Sequence, residues 1–177
     1  MWPYDLVYPY VNRFIEQFDA WLDAITEIPF VQDFAADANA FATVESIHVL
    51  TATLVVGTIL FVDLRLLGFI GRNNPVPRAS KVLPYTWAAF VFATLSGLML
   101  WAVNALRYTH AEPFQIKMLL ILAAGVNMAI FHFGIWRSVD AWGDDRPTPT
   151  AAKIAGVLSL LFWIGALFYG RFTYWTL

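Results

Sequence analysis

Cysteine is absent from this chain of 177 residues, which excludes disulfides, thiolate metal sites, iron–sulfur clusters and covalent haem attachment through Cys-x-x-Cys-His. Charge is scarce too. Only 14% of residues are Asp, Glu, Lys or Arg, against about 25% in an average soluble domain. The formal net charge is -2, with no basic run or stacking platform, so nucleic acid is not an expected partner. No cleavable signal peptide is expected, because the N-terminus is acidic and lacks a basic flank. Nor is there a nucleophile–base pair, a phosphate loop or a metal-hydrolase motif, which argues against hydrolytic or transferase chemistry.

What the chain has instead is apolar surface: 59% hydrophobic and 17% aromatic residues. That exceeds what one soluble core of this size can hide, so lipid must be part of its solvent. Four segments are long and apolar enough to cross a hydrocarbon core of roughly 30 Å: about residues 45–70, 83–106, 113–136 and 151–174. Between them lie the breaks GRNNPVPRASK, Arg107 to Glu112, and WGDDRPTPT, rich in the residues that stop helices. Pro113 suits the first turn of the third helix. The expected fold is an all-α membrane protein, a bundle of four transmembrane helices over residues 44–177.

Residues 1–43 form an extracytoplasmic segment. Val11, Phe14, Phe18, Trp21, Leu22 and Ile25 recur at helical spacing opposite Asn12, Glu16, Asp19, Asp23 and Glu27, which predicts an amphipathic interfacial helix stopped by Pro29. Its polar face is acidic, unlike helices drawn to anionic lipid. It is therefore expected to lie at the interface by its aromatic face, or to dock on its own bundle or on a membrane or periplasmic partner.

Arg72, Arg78, Lys81, Arg137, Arg146 and Lys153 gather on one side of the four crossings, and Arg13, Arg107, Lys117 and Arg171 on the other. The richer side is cytoplasmic by the positive-inside rule, which puts both termini in the periplasm of a bacterial inner membrane.

Ionisable groups inside a bilayer are costly and mark function or pairing. Counting about 1.5 Å of depth per residue gathers them into two clusters. At the outer leaflet, His48, His110, Met99 and Met118 fall at similar depth as candidate metal ligands, with Glu45, Asn104, Arg107 and Lys117 nearby. Arg107 and Lys117 are suited to neutralise haem propionates or a quinone oxygen. At the inner end Asp63, Arg65, Asn127 and His132 form a polar cluster, in which Asp63 is expected to pair with His132 or Arg137. His48 and His132 differ in depth by more than about 20 Å on parallel helices, so one haem cannot use both. A haem b at the outer leaflet would need His48 with His110, with a methionine, or alone. Copper could use the same imidazole and thioether donors.

The strings SIHVLTATLVVGTILFVDLRLLG, LPYTWAAFVFATLSGLMLW and FQIKMLLILAAGVNMAIFH resemble a family of uncharacterised bacterial four-helix inner-membrane proteins, a domain of unknown function. The resemblance covers about residues 40–140 and is carried by His48, Asp63, Arg65, Pro84, Trp87, Gly97, Lys117, Asn127 and His132. More distantly, the chain is similar to the membrane domain of copper-resistance protein D and to haem-binding membrane protoporphyrinogen oxidase. These likenesses imply copper passage or haem-based redox work and point to His48, Lys117 and His132. The function expected is therefore a redox-active metal centre, haem b or copper, for electron transfer or metal handling. The alternatives are a small-solute transporter or channel, with a water route past Asn127, Thr51 and Thr58, and an accessory scaffold subunit of a larger complex.

Overall fold

The computed structural model describes residues 4–70, 80–142 and 147–176. Residues 71–79 of the first loop, with Arg72 and Arg78, and Arg146 of the third lie outside the described residues. The described residues form helices joined by short turns, without strands. Its elements are α1 (Tyr4–Thr26), α2 (Pro29–Ala36), α3 (Ala38–Leu67), α4 (Leu83–Ala102), α5 (Ala105–His110), α6 (Glu112–Phe133), the one-turn α7 (Val139–Trp142) and α8 (Thr150–Thr176). Single 3-10 turns occupy Ser80–Val82 and Ile135–Ser138.

Four segments, on α3, α4, α6 with its 3-10 extension, and α8, are long and apolar enough to cross a membrane. Large apolar side chains on them point outward, as with Leu50 at 69% exposed and Leu119 at 64%. Stripes of this size face lipid rather than water. Hydroxyls along α3 are returned to their own helix: Thr51 donates to Ile47 O, Thr53 to Val49 O and Thr58 to Leu54 O, at 2.7–2.8 Å. This satisfies them where no water is present.

α3 begins at Ala38, well before the start expected at residue 45, because Asp37 caps it: Oδ1 accepts the N–H groups of Asn39 at 2.9 Å and Ala40 at 3.1 Å. At 30 residues it is about 45 Å long, which carries it beyond the hydrocarbon. It ends at Gly68, whose φ of 84° takes the left-handed turn that closes such a helix. The second span is shorter than expected. It stops at Ala102, and Val103–Asn104 break the chain before α5. Pro84 and Pro113 open α4 and α6 within their first turns, where a missing N–H costs nothing.

α3 packs along α4 and along α8, and α8 packs along α6. α4 and α6 do not pack on each other along their length, so the bundle is parted along that seam. A core cluster of Val62, Leu66, Phe131, Val139, Trp142, Ala152 and Ala155 packs at the inner end. The outer end carries α1, α2 and α5. There α1 rests on α5, with His110 Nε2 2.8 Å from Asp19 Oδ1; Thr26 Oγ1 also donates to Ala102 O at the end of α4, at 3.3 Å, and Leu22 of α1 is fully buried. Of the roles expected for the amphipathic helix, docking on its own bundle is the one this contact fills. Its Phe14, Phe18 and Trp21 stay exposed in a stacked row.

Candidate functional site: two cavities along the parted seam

The open seam between α4 and α6 holds two cavities, floored by α3 and α8. Val55, Phe90, Ile121 and Trp163 line both, so an apolar wall separates the outer from the inner.

The outer cavity, about 240 Å³, brings His48, Lys117 and Met118 together. Nδ1 of His48 lies 2.9 Å from Ala93 O and 3.3 Å from Ser96 Oγ. A carbonyl can only accept, so Nδ1 carries the proton, and Nε2 is left as the nitrogen with a lone pair. The ring can reach α4 because residue 97 is glycine: a Cβ there would stand 2.8 Å from His48 Cε1. Lys117 runs along Gly170 of α8, and both it and Glu45 lie within electrostatic reach of the imidazole. No carboxylate lines this cavity among the described residues.

The other outer candidates are not brought to this cavity. Nε2 of His110, which is 53% exposed, is bound to Asp19 of α1. Met99 is half-buried on α4 away from the lining, and Arg107 is exposed on α5. Asn104 sits at the break before α5, where its carbonyl accepts the N–H of Tyr108. Depth alone placed these groups together. The side of the helix each one occupies separates them, because the break at Val103–Asn104 turns α5 out of the line of α4 toward α1.

The inner cavity, about 310 Å³, is lined by Asp63, Asn127 and His132 together with Ser159. The expected pairing of Asp63 with His132 or Arg137 is not made. His132 Nδ1 is 3.0 Å from Met128 O on its own helix, and its ring stacks on Trp136. Arg137 is exposed on the 3-10 turn that follows α6. The hydroxyl facing the carboxyl of Asp63 is that of Ser159 on α8, a residue that depth counting did not single out. Asn127 spends its amide across the α6–α8 contact, donating to Ala155 O at 2.9 Å. Arg65 is buried in the last turn of α3 and does not line the cavity.

Among the described residues there is no group of three or more His, Asp or Glu side chains that would cage a metal ion. A haem held between His48 and His110 does not fit, since His110 is committed to α1. The donor set in the outer cavity does suit a group with one imidazole ligand and a negative charge for Lys117. For copper, the donors that line the cavity are His48 and Met118, beside an opposing ammonium.

The fold and its surface define a multi-pass α-helical membrane protein in contact with lipid. Comparison with protein-family models, curated proteins and solved structures finds no match to the chain.

Proposed function

We propose that this protein works in the cytoplasmic membrane of a bacterium, with both termini in the periplasm, and holds a redox-active group in its outer leaflet on Nε2 of His48. The observation that carries this reading is the fixed tautomer of His48. Its Nδ1 is tied to Ala93 O, the arrangement that orients an imidazole and leaves its other nitrogen to bind a metal. A haem b is favoured over copper, because Lys117, which lines the same cavity from α6, complements a propionate and opposes a cation. At about 240 Å³ the cavity falls just short of ligand sites, which run from about 300 to 1,000 Å³, so only part of such a group would be enclosed. Such a group would serve electron transfer along or across the membrane.

The test is an absorption spectrum and metal analysis of the purified protein. A Soret band that His48→Ala abolishes is the expected result, and copper at one per chain would shift the assignment to metal handling. A colourless, metal-free protein that is folded would overturn the proposal.

The solute-path alternative has less behind it. Thr51, Thr58 and Asn127 spend their hydrogen bonds within and between helices, and the wall between the cavities is apolar. The scaffold alternative rests on the bare aromatic row of α1, which equally suits the headgroup region.

A further inference from the structure

The inner cavity is not used by the reading above, yet it contains the least satisfied polar atom described. Asp63 is 5% exposed, and its Oδ2 is buried with no hydrogen-bond partner. A buried carboxyl oxygen without a donor is costly, and sites of this kind in a membrane mark ligands. The space beside it, about 310 Å³, falls within the range of small-molecule sites.

Its other walls narrow the chemistry. Trp87, Trp136 and Trp163 line the cavity, with Phe90 and Phe131. Aromatic walls take an apolar body, and indole rings also tolerate a nearby cation where water is excluded. Among the described residues no Lys or Arg lines the cavity to neutralise the carboxyl. An apolar body with one donating, positively charged nitrogen meets all three conditions. Because α4 and α6 are parted, such a molecule reaches the cavity sideways from the bilayer.

We propose that the inner cavity is a binding site for lipophilic amines, with the ammonium on Asp63 and the apolar part among the tryptophans. It is independent of any group on His48.

The experiment is calorimetric titration of the full chain in lipid nanodiscs with 4-phenylbutylamine, and with 4-phenylbutanol as its neutral counterpart. Saturable binding of one amine per chain is expected, at least tenfold tighter than the alcohol, and weakened at least tenfold in Asp63→Asn. Gly125 also lines the cavity, and a Cβ on it meets nothing within 4 Å. Gly125→Leu should therefore fill the space and abolish binding without touching Asp63, which keeps the test decisive if Asp63→Asn fails to fold. Absence of saturable amine binding, equal affinity for amine and alcohol, or full binding in folded Gly125→Leu would each overturn the proposal.

Discussion

The imidazole of His48 rests directly on Gly97, so close that a methyl group on residue 97 would stand 2.8 Å from Cε1. The ring is held in place by two hydrogen-bond contacts to α4 and cannot move aside without losing them. Gly97→Ala should therefore destabilise the protein by about 1–3 kcal/mol, as overpacking does. It should also release the Nδ1–H tautomer. Nitrogen-15 NMR of the histidines would read this directly; an unchanged His48 signal would show the ring to be free to shift.

At the start of the same helix, Asp37→Ala should remove the two accepted N–H bonds of the cap and lower stability by about 0.5–2 kcal/mol. Asp37→Asn should recover most of it. Hydrogen exchange at residues 38–41 is the local readout, and equal protection in both variants would count against the cap.

Across the bundle, Asn127→Ala breaks the one bond its amide makes to Ala155 O. Polar contacts between membrane helices average about 0.6 kcal/mol and reach about 1.7. A loss within that range is expected in denaturation from detergent micelles.

Alkaline pH should act through Tyr108 on α5, outside the spans. Burial first, and the Glu45 carboxylate second, push its phenol above the ordinary value of 10.0. The folded chain then keeps the proton after the unfolded chain has lost it, so this stabilisation is complete below about pH 10 and falls as pH climbs through the folded value. Tyr108→Phe should flatten that decline, measured as denaturation midpoints at rising pH.

The absence of cysteine makes topology simple to test. Glu27→Cys and Thr150→Cys put single thiols on exposed residues near opposite ends of the bundle. With the proposed orientation, a membrane-impermeant maleimide labels the first in intact spheroplasts and the second only after permeabilisation. The reverse pattern would invert the protein.

The number and order of the spans were legible in the chain because a bilayer imposes a length and an apolarity that each helix must meet by itself. Pro113 and the loop composition marked the breaks for a similarly local reason. Helix ends that depend on a single side chain, such as the Asp37 cap, were harder to read from hydropathy, since the residues after it are only moderately apolar. Depth along a helix is additive, and residues of similar depth line a common cavity: His48, Lys117 and Met118 the outer, Asp63, Asn127 and His132 the inner.

Which of those groups actually meet was decided only by tertiary structure. Rotation about each helix axis and the parting of α4 from α6 are set by packing between segments far apart in sequence. Gly97 beneath His48, Ser159 facing Asp63, and Asp19 drawing His110 away to α1 are all contacts of that kind. Composition and periodicity are properties of one segment, whereas a site belongs to the space between several.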